Sequence, residues 1–227
     1  MKIIYLGQAG FLLETTRQTI LIDPYLSDSV AKIEPQNYRR IPVENRFLQI
    51  QPNVIVCTHN HLDHLDKETL CHYVDENSQV TVLSPYSGWK ELRAFGGRKN
   101  NYVLFNVGTE WTENEIRFKA VKAEHSDEYA VGVIVYAEDK AYYFTGDTLY
   151  HSKVFESVAK ENLEAVFLPV NGKGNNMNFA DAKRFAVACK AKYVVPVHIG
   201  MFDELKADDW ECPNKVIPKI YEEIVLK

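Results

Sequence analysis

One six-residue window, His59-Asn60-His61-Leu62-Asp63-His64, restricts what this chain can fold into more than any other feature. It holds three of the seven histidines in 227 residues, together with an aspartate. Random placement would produce such a window roughly 3 times in 10,000, so it needs a physical reason. A buried imidazole must find partners for two ring nitrogens, so crowding three of them serves no apolar core. Imidazole and carboxylate together suit zinc, iron or manganese. The window is delivered by Val54-Ile55-Val56-Cys57, a continuous apolar run of the kind found in strands covered on both faces. Such strands carry ligand sites at their carboxyl ends. The fold must therefore bury this strand and leave its end open, with loop side chains turned toward one point.

The same pattern occurs three more times. His125 ends an apolar run in Ala123-Glu124-His125-Ser126. Asp147 follows one in Thr145-Gly146-Asp147-Thr148, and His198 follows another in Pro196-Val197-His198-Ile199-Gly200. A Gly-Asp pair alone signals only a turn. Repeated, an apolar strand delivering a ligand-type side chain becomes a candidate metal site.

Around these points the chain reads as strands first, then strands alternating with helices. Ile3–Leu6, Phe11–Glu14 and Thr19–Ile22 form a meander, and Asp23-Pro24 ends it because proline holds its predecessor extended. Ser27–Gln51 is a long polar loop with room for a helical turn, and loops of that length are often functional. After the histidine window a helix is predicted from Lys67 to Glu76 with Asp66 as N-cap. A strand over Val80–Leu83 and a helix over Ser87–Phe95, closed by Gly96-Gly97, come next. Strands then cover Tyr102–Phe105, Ile116–Ala123, Val131–Ala137 and Ala141–Thr145, the last two joined by a turn at Glu138-Asp139-Lys140. Helices over Ser152–Lys160 and Phe179–Cys189 alternate with strands over Ala165–Pro169 and Lys192–Val197. Past this point Asp208 is a possible helix cap, but Pro213 and Pro218 interrupt any long helix. A pair of sheets covered by helices on both outer faces accommodates this order. No linker or composition shift divides the chain, so residues 1–227 read as a single domain.

The set HxHxDH, a distant His, Gly-Asp and a late His resembles the metallo-β-lactamase superfamily. Thr58-His59-Asn60-His61-Leu62-Asp63-His64-Leu65-Asp66 is similar to the form found in its L-ascorbate-6-phosphate lactonase-like branch. Leu6-Gly7-Gln8-Ala9-Gly10, Ile22-Asp23-Pro24 and Pro196-Val197-His198-Ile199-Gly200-Met201-Phe202 also resemble that branch. The resemblance implies an α/β fold, the four-layer αββα sandwich, and two divalent metal ions, zinc or manganese rather than iron. It places His59, His61 and His125 on one ion, Asp63, His64 and His198 on the other, and Asp147 between them. Two such ions can share a hydroxide and clamp attacking and leaving oxygens, with Asp63 orienting that hydroxide as the catalytic residue. Asp66 is either a supporting carboxylate or a plain N-cap, and His72 and His151 match no ligand position. The implied function is hydrolysis of a lactone, ester or phosphoester in a small molecule. The alternatives are a phosphodiesterase or nuclease of the same superfamily, a di-iron redox protein, and a binding protein that has kept the fold.

Residues for substrate contact are sought near the strand ends. Asn171-Gly172-Lys173-Gly174-Asn175-Asn176 is rich in donors, making Asn171 and Lys173 candidates for a phosphate or carboxylate. Tyr25, Trp89 and Tyr129 are further candidates, although aromatics more often belong to the core. A net charge of −5 and the absence of any Lys/Arg run argue against a nucleic-acid partner. Cys57, Cys71, Cys189 and Cys212 are widely spaced and form no Cys-x-x-Cys pair. With only a four-residue apolar run at the N-terminus and no membrane-length apolar stretch, a cytoplasmic location without membrane attachment is expected, with homo-oligomerisation possible on base rates.

Overall fold

The computed structural model describes residues 1–227 and contains two six-stranded sheets. The first takes its strands in chain order, β1 (Lys2–Gly7), β2 (Gly10–Glu14), β3 (Thr19–Ile22), β4 (Val54–Val56), β5 (Thr81–Ser84) and β6 (Asn101–Leu104). The first three are antiparallel and the rest join in parallel. The second sheet comprises β7 (Glu110–Glu113), β8 (Ile116–Lys122), β9 (Val131–Ala137), β10 (Lys140–Phe144), β11 (Leu163–Pro169) and β12 (Tyr193–Val197). It too begins antiparallel and ends parallel.

The apolar runs in the sequence follow from this layering. Side chains alternate along a strand, so Ile3, Tyr5, Phe11, Leu13, Ile20 and Ile22 point to the second sheet and meet Phe118, Val133, Phe144 and Phe167. Phe11, Phe144 and Phe167 touch ring to ring, with centroids 4.3–5.0 Å apart. The alternate residues Ile4, Leu6, Leu12, Leu21 and Ile55 pack outward under α1 (Lys67–Leu70) and α2 (Tyr86–Phe95). On the far side Ile134, Tyr143, Val166 and Leu168 pack under α3 (Ser152–Glu156) and α4 (Phe179–Cys189). The layers are thus αββα, with strands apolar on both faces.

Three expectations need correction. The first helix stops at Leu70 and does not reach Glu76. Beyond it the Asp75 carboxylate accepts from the backbone of Asn77 and Ser78, a local alternative that competes with helical bonding. The α3 helix stops at Glu156, short of Lys160, where the Ser157 hydroxyl donates back to the Val154 carbonyl at 2.6 Å. Strand β7, Glu-Trp-Thr-Glu, was not expected because its sequence lacks an apolar run. It exists through its hairpin with β8, whose turn residues Asn114 and Glu115 both have positive φ. That is the twist-matched geometry of two-residue hairpins, repeated at Glu138-Asp139 between β9 and β10.

The last thirty residues contain one 3-10 turn, Ala207–Asp209, which includes Asp208, and no longer helix. They cover two sheet edges. Tyr221 and Ile224 donate to the carbonyls of Tyr5 and Ile3 along β1, while Val194 of β12 exchanges bonds with Asn214 and Val216. Exposed edges invite pairing with other chains, and this tail occupies one edge of each sheet. No helix is long and apolar enough to cross a membrane.

Candidate metal centre

Strand ends from both sheets open into one cleft. The β4 end supplies His59, His61, Asp63 and His64, the β8 end His125, the β10 end Asp147 and the β12 end His198. Their ligand atoms fall into three compact groups: His59, His61 and His125; His59, His64 and Asp147; Asp63, His64 and His198. His125 Nε2 is 3.1 Å from His61 Nδ1. Asp147 reaches across the groups, with Oδ1 3.2 Å from His64 Nε2 and Oδ2 3.2 Å from His198 Nε2. Asp63 Oδ2 is 3.1 Å from His198 Nε2.

Buried polar atoms are almost always hydrogen-bonded, yet His59 Nε2, His64 Nε2 and Asp147 Oδ1 are buried without a well-aligned hydrogen bond, the last two facing each other only as an ion-pair contact. Converging lone pairs that nothing else satisfies fit a divalent cation. The electrostatics agree. Burial pushes the His59 imidazole well below the usual histidine range, reinforced by His64. Burial also opposes protonation of His64 and His198, but the Asp147 and Asp63 carboxylates outweigh it. They hold His64 well above its ordinary range and carry His198 up to about 10. A field that retains protons on two buried imidazoles also attracts a metal cation.

Three non-glycine residues at these strand ends have left-handed backbone, Gln8 (φ 54°), Asp23 (φ 42°) and His198 (φ 57°). Such geometry costs roughly 1–3 kcal/mol per residue and concentrates at functional sites. Gly146 (φ 59°) lets Asp147 turn inward, since a Cβ there would lie 2.8 Å from Thr58 Oγ1. The cleft itself is a cavity of about 570 Å³, with Gln8, His61, Asp63, Asp147 and His198 among its lining residues.

Comparison with known proteins bears on the same residues. The family model described as beta-lactamase superfamily domain matches residues 2–198. The chain belongs to this superfamily. It is 27% identical to the metal-dependent hydrolase YtkL of Bacillus subtilis over 92% of this chain and 89% of that one. It is also 27% identical to the metal-dependent hydrolase Ta0764 of Thermoplasma acidophilum over 92% and 87%. Among solved structures, Igni18, a metallo hydrolase of Ignicoccus hospitalis, superposes with a TM-score of 0.78 at 17% identity, covering 98% of this chain and 97% of that one. CmlA, a diiron β-hydroxylase of Streptomyces venezuelae, superposes at 0.71 and 18% identity, covering 92% of this chain and 48% of that one.

In this member of the superfamily, the structure brings all seven candidate ligands together. It leaves His72 exposed and makes His151 the N-cap of α3. Asp66 caps α1 through the backbone of Glu68 and Thr69 and bonds no ligand. The supporting carboxylate is Asp23, which accepts from Thr58 N (2.7 Å), Thr58 Oγ1 (2.6 Å) and His64 Nδ1 (2.8 Å). It thereby fixes the residue before His59 and orients the His64 ring. The sequence showed Asp23 only as a strand-ending Asp-Pro, although it shares the strand-end placement of the ligands. Two further buried amides were missed: Gln8 Nε2 donates to Asp63 Oδ2 at 2.8 Å, and Asn176 Nδ2 to Asp147 Oδ2 at 2.7 Å.

Asp127 ties the two ligand loops together, accepting from Asn60 N at 3.2 Å and from the Ser87 hydroxyl at 2.5 Å. Asn171 and Lys173 both line the cavity. Tyr25, Trp89 and Tyr129 do not. Tyr25 is core, and the Trp89 indole donates to the Tyr102 carbonyl. Phe202, which lies against Tyr25, lines the cavity instead.

Proposed function

We propose that this protein is a metal-dependent hydrolase acting on a lactone, ester or phosphoester bond of a small molecule, with zinc or manganese as its metal. The observation that carries this reading is the set of unpartnered ligand atoms on His59, His64 and Asp147 at a cavity large enough for a small molecule. His59, His61 and His125 would hold one cation and Asp63, His64 and His198 the other, with Asp147 shared. A bound divalent pair supplies a Lewis acid and lowers the pKa of water from ~15.7 to ~7. Asp63 Oδ2 is engaged by Gln8, which orients the carboxylate that would in turn orient the attacking hydroxide. Lys173 is the only Lys or Arg lining the cavity, and its ammonium would hold a carboxylate or phosphate of the substrate. One cation in a cavity also lined by Glu34 and Asp203 suits a small anion better than a nucleic-acid backbone, which a stripe of positive charge grips.

The test combines elemental analysis with a screen of lactones, esters and phosphodiesters in zinc and manganese. About two metals per chain and turnover of one class are expected. His61→Ala and Asp147→Asn should each abolish turnover and leave the circular dichroism spectrum unchanged. Undiminished turnover in either variant would refute the two-metal reading. Bound iron with oxygen consumption would move the protein to redox chemistry.

A further inference from the structure

Asn171 follows β11, and the register of that strand with β12 pairs Pro169 with Val197, setting Asn171 beside His198. The asparagine is held there by its neighbours. Val170 N donates to the Val197 carbonyl, and Gly172 N to the Met177 carbonyl at 3.0 Å. The side-chain amide nitrogen lies 3.1 Å from His198 Nδ1, while Asn171 Oδ1 is buried with no hydrogen-bond partner.

With its nitrogen turned to the ring, the Asn171 amide suits only a His198 whose Nδ1 carries no hydrogen. A doubly protonated ring, which Asp63 and Asp147 favour without a cation, would present Nδ1–H to it as donor against donor. If Nδ1 accepts from the Asn171 amide, the ring hydrogen sits on Nε2, the atom that faces Asp63 Oδ2 and Asp147 Oδ2 at 3.1 and 3.2 Å. A cation held among those atoms needs the Nε2 lone pair, which moves the ring hydrogen to Nδ1. Nδ1–H then requires an acceptor. Gln8 cannot provide one, because the atom it turns toward the ring is its amide nitrogen, 3.3 Å from Nδ1 and 3.2 Å from Nε2, and that nitrogen is committed as a donor to Asp63 Oδ2. A half-turn of the Asn171 amide exchanges its nitrogen and its unpartnered oxygen.

We propose that Asn171 is a positioning residue for His198, its Oδ1 accepting the Nδ1 hydrogen and fixing the tautomer that leaves Nε2 free for a cation. This rests on the two-metal reading above and changes the sequence expectation for Asn171, from substrate contact to ligand support. Ligand-supporting hydrogen bonds of this kind are worth about 10–100-fold in metal affinity.

The experiment measures cobalt(II) and zinc affinities of the full chain by competition with a chromophoric chelator, comparing wild type, Asn171→Ala and Asn171→Asp. The metal-free forms are also melted to show that each variant folds. Asn171→Ala should weaken one of the two metals about 10–100-fold and alter the cobalt absorption bands, leaving the other metal at wild-type affinity. Asn171→Asp, which can only accept, should restore the lost affinity. Wild-type affinity in Asn171→Ala would overturn the proposal, as would failure of Asn171→Asp to rescue. Either result with two metals on the wild type leaves the hydrolase reading standing, whereas no metal on the wild type removes both.

Discussion

Replacing Asp23 with alanine tests whether the metal site is held from behind. The Asp23 carboxylate accepts three hydrogen bonds at 2.6–2.8 Å in a fully buried position. Hydrogen bonds to charged groups contribute about 1.5–3 kcal/mol each, but removing the carboxylate also removes the cost of burying its charge. The firmer quantity is what remains unpaired. Thr58 N cannot turn away, and the His64 ring is pinned among Asp63 and Asp147. Two stranded buried donors cost about 1–3 kcal/mol each, so the variant should lose about 4 kcal/mol. For a chain of this size that lowers the melting temperature by about 8–16 °C.

Thermal unfolding of metal-free protein, followed by circular dichroism, reads this loss. Asp23→Asn separates packing from ligand orientation, because it keeps the volume but presents an amide. It should melt closer to wild type yet bind metal about 10–100-fold more weakly. An Asp23→Ala protein that melts with the wild type and binds two metals normally would show that His59 and His64 are positioned without Asp23, refuting the argument.

Three other perturbations test the frame. Trp210 is fully buried against α4, and its indole donates to the Phe179 carbonyl at 2.8 Å. Trp210→Ala should cost about 3–5 kcal/mol in urea unfolding, and a cost near zero would show that the tail is not anchored there. At Gly97 a Cβ would lie 1.9 Å from the Asp75 carbonyl oxygen, which is backbone and cannot step aside. Gly97→Ala should therefore reduce soluble yield and lower the melting temperature, and an unchanged melt would refute the close approach. Burial alone would raise the Glu161 carboxyl, but hydrogen bonds from Lys119 and Tyr136 prevail and hold it below its ordinary value. Its contribution is then complete above the unfolded pKa and disappears as pH falls through the depressed one. Glu161→Gln should be less stable than wild type at neutral pH, with the gap closing only as pH falls below the ordinary carboxylate range and through the depressed value, and a gap that persists in strong acid would contradict the pairing.

The candidate ligands were legible because metal chemistry restricts residue type as well as spacing. Imidazole and carboxylate at the end of an apolar strand have few structural uses, so His59, His61, Asp63 and His64 stand out, and His125, Asp147 and His198 follow by sharing their placement. Gln8, Asn171 and Asn176 carry ordinary amides whose meaning depends on which ring or carboxylate the fold sets beside them. Asp23 had the ligands' placement but was read as local grammar, since Asp-Pro also ends strands in proteins with no site. The helix errors have a related origin. Asp75 and Ser157 side chains compete with the helical ladder, and a periodic pattern of apolar residues continues past the point where hydrogen bonding stops. Tyr73, Val74 and Val158 remain buried in turns, so burial periodicity outlasted the helices.

The distribution of candidate ligands between the sheets explains why the tertiary fold and the site cannot be separated. His59, His61, Asp63 and His64 come from the first sheet, whereas His125, Asp147 and His198 come from the second. Neither of the two proposed cation groups is complete on one side. His59 and His61 need His125, and Asp63 and His64 need His198. The Gln8 carbonyl accepts the His198 backbone N–H at 2.7 Å, and Asp127 of the second half accepts from Asn60 of the first. The two ligand sets are therefore brought into register by the same contacts that close the sandwich. A substitution that loosens the packing of Phe11 against Phe144 and Phe167 acts on the metal centre at a distance, because the distances between His61 and His125 and between Asp63 and His198 are distances between sheets.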